Sequence, residues 1–147
     1  MSKRLDVLLA VKQLVEAALP GARVLGLDGA EAPPAIIPAA GMVVVRTGDP
    51  GEAEYTFSPL TYFYDHRIPI EVSALKGSEL TSEQALDVML IAIGQAVADD
   101  RSLGGLCDWL ETTSAATEDI YPDGGGQPPR GADLMIIASY STPNPLA

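Results

Sequence analysis

The sequence has few of the residues that build metal centres, disulfide frameworks and nucleic-acid-binding surfaces. It contains one cysteine and one histidine in 147 residues. These counts exclude an intrachain disulfide framework and a metal site made of several histidines or cysteines. Nine Lys and Arg stand against twenty Asp and Glu, which gives a formal net charge of −11. The charge argues against tight, nonspecific binding to nucleic acid or anionic lipid, because both require clustered cations.

Long apolar runs are also missing. No stretch approaches the ~18 apolar residues of a membrane-spanning helix. The N-terminal apolar run is broken by Asp6, Lys12 and Glu16, which a secretory signal would not tolerate. We therefore expect a soluble, cytoplasmic protein with a reduced thiol. The hydrophobic fraction of 47% is that of a globular protein, and the length predicts a single domain over residues 1–147.

Apolar residues at spacings of three and four predict two main helices. The first covers residues 5–19 and ends at Pro20 and Gly21. The second opens at Thr81, which can form a capping box with Gln84, and continues to residue 98. Gly94 lies inside this helix, where glycine costs about 1 kcal/mol relative to alanine. We therefore expect a close backbone crossing at Gly94.

Strands are predicted in several segments between and after these helices. They cover residues 23–27, 42–46, 62–75, 107–120 and 133–141, and a turn at 48–51 would make 52–57 the returning strand of a hairpin with 42–46. Residues 28–41 and 121–131, which are rich in proline or glycine, are predicted to be irregular loops. The order of elements predicts an α+β fold, a mostly antiparallel sheet with two main helices packed on one face.

The clearest strand, 62–75, alternates an apolar face with a polar face. Its polar face carries Arg67, Pro69 and Glu71, which are our candidates for an interface. Because proline cannot donate to a strand ladder, Pro69 suggests an edge strand or a bulge at that point.

Two residues are candidates for covalent or acid–base chemistry. His66 would act as a general base if Asp65 oriented it, but neighbouring strand residues point to opposite faces, so we favour a structural histidine. Cys107 has Leu106 and Trp109 nearby and no local base, which indicates a structural thiol.

Ligand-binding patterns are equally weak. Asp99 and Asp100, with Glu83 and Asp87 upstream, lack the spacing of a calcium loop and indicate a solvated helix end. The glycines at 124–126 have no following lysine and no strand-loop-helix frame, so we interpret them as a surface loop and not as a phosphate site. We predict no catalytic residues, no cofactor and no metal, and therefore a scaffold or assembly protein and not an enzyme.

The order of features nevertheless matches a known arrangement. A strand over 64–72 precedes the second helix, and the segment 100–106 (Asp-Arg-Ser-Leu-Gly-Gly-Leu) follows it. A long acidic strand region comes next, and a closing strand with residues 138–142 (Ala-Ser-Tyr-Ser-Thr) follows. The 100–106 segment resembles the Asp-x-Ser/Thr-Leu-x-Gly turn of the tail terminator (minor tail) proteins of long-tailed bacteriophages, prophages and gene transfer agents. The resemblance covers most of the chain, but not residues 28–41 and 124–131.

This resemblance implies a structural protein of the virion tail that is assembled in the host cytoplasm. Such a protein forms a hexameric ring at the head-proximal end of the tail tube, ends tube polymerisation and docks the neck or head connector. Its partners would be copies of itself, the tail tube protein and the connector, with no membrane contact. Six copies would carry about −66, so DNA would pass through an acidic lumen without specific binding, unless the acid serves solubility alone.

Other functions remain open at this stage. They are another head–tail joining (neck) protein, a small non-viral enzyme with His66 as base, and a small α+β binding module. Loops 28–41 and 121–131 and the strand with Pro69 are the material from which ring contacts would be built, since ring closure needs two different patches on each subunit.

Overall fold

The computed structural model describes residues 1–28, 37–120 and 128–147. The elements in chain order are α1 (Lys3–Ala18), β1 (Arg23–Leu25), β2 (Met42–Val45), β3 (Glu54–Thr56), β4 (Thr61–Ala74), α2 (Ser82–Asp99), a 3₁₀ turn (Leu103–Gly105), β5 (Trp109–Thr112), β6 (Ala116–Asp119) and β7 (Arg130–Thr142). The predicted α+β class is confirmed, because two helices pack against a mostly antiparallel sheet. None of the helices in the described ranges is long and apolar enough to cross a membrane.

The sheet is built around the long antiparallel pair of β4 and β7. These strands pair without interruption from Tyr62↔Thr142 to Ala74↔Arg130. The strand order is β1-β2-β4-β7-β5, with β3 beside the first residues of β4 and β6 beside the first residues of β7, at opposite ends of the central ribbon. Only β1 and β2 are parallel among these pairs. The outer strands therefore flank a central two-stranded ribbon.

Both helices begin with a side-chain cap and bury one stripe in the same core. Ser2 Oγ accepts from Leu5 N–H at the start of α1. The predicted capping box of α2 is confirmed, since Thr81 Oγ1 accepts from Gln84 N–H and Gln84 Oε1 accepts from Thr81 N–H. The buried helix residues are Val7, Leu8, Val11 and Val15 of α1 and Leu86, Met89, Ile93 and Val97 of α2.

The alternation predicted for β4 is confirmed and defines two faces of the sheet. The core face packs on the helices; its buried β4 residues are His66, Ile68, Ile70, Val72 and Ala74. On β7 the core face includes Leu134, Ile136, Ala138 and Tyr140. The open face carries Arg67, Pro69 and Glu71, each exposed or half-buried. Near β1 and β2, the open face also holds a small buried cluster of Leu25, Met42 and Val44.

The predicted hairpin between 42–46 and 52–57 is wrong. β2 pairs with β4, from Met42↔Ser73 to Val45↔Ile70, and β3 pairs with the other end of β4, from Glu54↔Phe63 to Thr56↔Thr61. The physical reason is the length of β4, whose 14 residues offer room for two short strands along the same side. β2 buries all four of its residues against this longer neighbour.

The edge position suggested by Pro69 is also wrong, because β4 lies inside the sheet. The carbonyl of Pro69 accepts from Arg46 N–H, so the missing N–H of the proline faces the segment after β2. That segment holds an irregularity. Three residues lie between Val45 and Asp49, but only two lie between their partners Ile70 and Arg67. The extra residue is therefore in the segment 46–48, and β4 itself carries no bulge against β7.

A second irregularity divides the strand predicted over 107–120. β5 ends at Thr112, opposite Ile136, and β6 starts at Ala116, opposite Asp133. Three residues between Thr112 and Ala116 again oppose two residues of β7, so this extra residue divides the predicted strand into two. Thr113 bridges the interruption by exchanging hydrogen bonds with the backbone of Met135.

Two smaller expectations also need correction. A Cβ built on Gly94 meets no atom within 4 Å, so no close backbone crossing accounts for this glycine. The predicted loop 121–131 ends earlier than expected, because Arg130 and Gly131 already belong to β7. Residues 29–36 and 121–127 of the two predicted loops lie outside the described residues.

Candidate functional site

The three interface candidates lie side by side on the open face of β4. Pro69 and Glu71 line a groove of about 500 Å³, to which β7 contributes Asp133 and Met135. Arg46 also lines it and donates through Nε to Glu71 Oε2 at 2.6 Å. Arg67 is exposed on the same face but is not part of the groove wall. The prediction thus placed two of its three residues in one groove.

The wall of this groove has the composition of a protein-contact surface. Its wall mixes the apolar side chains of Pro69 and Met135 with the ion pair of Arg46 and Glu71. Apolar surface edged by charged groups is typical of the outer part of a protein–protein interface. The described wall residues contain neither a nucleophile with an adjacent base nor a histidine.

The most exposed apolar cluster is at one end of the sheet. We call residues 54–63, which are β3, the following loop and the start of β4, the aromatic arm. Tyr55 and Phe57 are 59% and 75% exposed, and Leu60 and Phe63 are 43% and 40% exposed. The ring of Tyr55 contacts Phe57 edge-on at 5.6 Å between centroids and lies 6.2 Å from Tyr62. Such clusters on a protein surface mark interaction sites.

The aromatic arm was not predicted from the sequence, although the distribution of aromatic residues indicates it. Five of the eight aromatic residues of the chain fall between positions 55 and 64. Aromatic residues are enriched at interfaces and depleted from ordinary surface. The signal was missed because these aromatics were assigned to strands, and a strand pattern does not reveal whether a helix covers it.

His66 is fully buried, and both ring nitrogens make structural hydrogen bonds. Nε2 lies 2.7 Å from the carbonyl oxygen of Thr47, so it carries the proton and donates. Nδ1 then accepts from the hydroxyl of Tyr140 at 3.1 Å. Burial lowers the pKa of His66 below its ordinary value, and burial raises the pKa of Tyr140 to about 12. Neutral His66 therefore joins β4, β7 and the segment after β2.

Asp65 does not orient this histidine. Its Oδ1 accepts from Ser139 Oγ at 2.6 Å on the open face, on the opposite side of the sheet from His66. The geometry thus supports the structural interpretation of His66, which rested on the alternation of strand residues.

Cys107 and the acidic helix end also have structural partners. Cys107 is buried, its Sγ donates to the carbonyl of Arg101, and burial raises the pKa of the thiol. Asp100 accepts from Gly104 N–H, and Asp99 accepts from Gln95. Within the described residues, no group of three His, Cys, Asp or Glu side chains could hold a metal ion. The glycines at 124–126 lie outside those residues.

Comparison of the sequence with models of known protein families gave no match, and comparison with curated proteins gave none either. The aromatic arm, the open-face groove and the resemblance in the sequence are therefore the observations that bear on function.

Proposed function

We propose that this chain is the subunit of a homo-oligomeric ring at the head-proximal end of a bacteriophage or gene transfer agent tail tube. The ring ends tube polymerisation and provides the docking surface for the neck or head. The observation that supports it best is the aromatic arm, which a monomer leaves in water. Tyr55 and Phe57, whose rings contact each other, are 59% and 75% exposed, and exposed apolar clusters of this kind mark interaction sites.

The negative charge of the chain favours a protein partner over nucleic acid. At −11, the surface repels phosphate, so an apolar patch on it is suited to protein and not to nucleic acid. A closed ring also needs two different contact surfaces on each subunit. The aromatic arm is one surface, and the open face with Arg67, Pro69 and Glu71 is available for the tube or the neck protein.

The mass in solution tests the ring. We expect a species of about six times 15.4 kDa in sedimentation equilibrium and closed rings in negative-stain images. A chain that stays monomeric both alone and with the tail tube protein from the same genome would contradict the proposal.

A second measurement separates a tail terminator from a neck protein. The purified chain is added to polymerising tail tube protein, and tube lengths are measured by electron microscopy. A terminator shortens tubes in proportion to its concentration and labels one end. A neck protein leaves tube length unchanged, and that result would favour the alternative head–tail joining function.

A further inference from the structure

We propose that the aromatic arm of one copy docks into an apolar groove at the opposite end of the next copy. The groove lies between the C-terminal end of α1 and the first half of α2, where β4 ends. This contact builds on the proposed function, since it supplies the subunit contact that the ring requires.

The groove is unusual in its walls. It measures about 350 Å³, and its wall includes Leu19, Leu80, Ala85, Val88, Met89 and Ala92. Every wall residue that the structure describes is apolar, glycine or proline. Val88 and Leu80 remain 55% and 41% exposed at its rim. Small alanine side chains on a helix leave a concave space that the phenyl group of Phe57 can fill.

Two other grooves have polar walls, and a third is small, at about 130 Å³. The open-face groove includes Arg46, Glu71 and Asp133 in its wall. A further groove between α1 and the turn after α2 includes Gln13 and Asp100. Covering these polar groups with Tyr55 and Phe57 would cost free energy, because the charged groups would lose water without gaining partners.

The arm and the groove cannot meet within one molecule. Phe63 of the arm and Ala74 of the groove wall both belong to β4 and are eleven residues apart. A strand advances about 3.3 Å per residue, so the two surfaces are about 35 Å apart along a rigid element. An arm that fills the groove must therefore come from another copy.

The positions of the arm and the groove at opposite ends of β4 also bear on the type of contact. They permit the head-to-tail contact that the proposed ring requires, which closes into a ring or propagates as a filament, whereas a reciprocal two-fold contact would stop at a dimer. Tyr55 and Phe57 offer about 250 Å² of exposed surface on one side of the arm, about a third of the ~800 Å² per partner in a standard interface. The rest has to come from surface around the groove, where Val88 and Leu80 are exposed.

The test uses one variant for each side of the contact. Phe57→Glu places a charge on the arm, and Val88→Glu places one at the groove. Ala98→Glu is the matched control, because it adds the same charge at an exposed position of α2 about 15 Å further along the helix. Circular dichroism and thermal unfolding check that all three variants fold. We expect both contact variants to sediment as 15.4 kDa monomers and the control to sediment as wild type.

Mixing the two contact variants gives the sharpest result. The Val88→Glu protein keeps an intact arm, and the Phe57→Glu protein keeps an intact groove. One head-to-tail contact can therefore form between them, and we expect a 1:1 dimer of about twice 15.4 kDa that does not grow with concentration. Failure of the mixed variants to form this dimer overturns the proposal, and a wild-type protein that stops at a dimer contradicts the head-to-tail arrangement.

The outcomes also distinguish this contact from the ring function. Rings that persist in both contact variants overturn the arm–groove contact and leave the ring standing. Wild-type chains that lengthen with concentration, and that both variants abolish, support the contact and contradict the closed ring. A wild-type protein that is monomeric at all concentrations overturns the contact.

Discussion

The two ends of β4 follow the same alternation of side chains but differ in burial. From His66 to Ala74, the core-face side chains are buried under α1 and α2. At the other end, the same face carries Tyr62, which is half-buried, and its β3 partner Tyr55, which is 59% exposed. Tyr64 is the outermost β4 residue that packs against the core cluster within the described residues. Periodicity thus tells which side chains share a face, and helix length decides which of them are covered.

The largest expected effect is in the covered half. Ile70→Ala removes a fully buried side chain and should lower the free energy of unfolding by about 2–5 kcal/mol, because it leaves a cavity. Phe57→Ala, at the uncovered end, should change it by less than about 0.5 kcal/mol in dilute protein. Urea unfolding of both variants measures the contrast. Equal losses of unfolding free energy in the two variants would contradict the exposed position of Phe57.

The next effect concerns the backbone beside β4. Gly48 has a φ of +63°, and a Cβ there would lie 2.0 Å from the carbonyl oxygen of Arg67. Gly48→Ala should therefore cost more than the ~1–3 kcal/mol of an unfavourable backbone conformation alone. Gly51→Ala is the control, since its φ is +73° but its Cβ would meet no atom within 4 Å. Thermal unfolding compares them; similar losses would contradict the steric argument.

A smaller effect should appear as a pH dependence of the covered half. The pKa of His66 is lowered in the folded protein by burial, so the unfolded chain binds a proton more readily. This contribution to stability is complete above the unfolded value of about 6.5 and is lost as pH falls from there towards the folded pKa. His66→Gln should unfold more easily at pH 8 but lose less stability than wild type between pH 7 and 5.

The control for this pH dependence lies on the other face of the same strand. Asp65→Asn removes an exposed carboxylate and should leave the His66 contribution intact between pH 7 and 5. Denaturant titrations at several pH values give the comparison. Parallel curves for wild type and His66→Gln would show that burial does not lower the pKa of this histidine.

The smallest effect is expected on the open face. Arg46 and Glu71 form an ion pair with side chains 35% and 44% exposed, so solvent screens their attraction. Glu71→Gln should lower the free energy of unfolding by less than about 1 kcal/mol at low salt and by less still at high salt. A loss comparable to that of Ile70→Ala would contradict the view that this face contributes little to folding. Denaturation in 0.05 and 0.5 M salt measures it.

Residue patterns within short segments predicted the parts of the fold that depend on interactions between residues close in the chain. The two helices, the capping box of Thr81 and Gln84 and the faces of β4 follow from spacing and side-chain hydrogen bonding, and the structure confirms them. The pairing of β3 with β4 was missed because two candidate neighbours flank it, and only the length of β4 decides between them. The apolar groove was missed for a related reason. Its wall comes from segments far apart in the chain, such as Leu19 and Val88.

The two one-residue insertions beside the central ribbon lie at the same height. One falls between Ile70 and Arg67 of β4, and the other falls between Ile136 and Asp133 of β7, which is the same level because Arg67 faces Ile137 and Ile70 faces Leu134. Extra residues of this kind bend a strand and increase its twist. This level lies between the aromatic arm and the apolar groove, so in the proposed subunit contact the local twist would affect the angle between the two surfaces. The proposed ring of six needs about 60° of turn per subunit. If the arm–groove contact closes such a ring, deleting one residue from each insertion should change the number of copies in it.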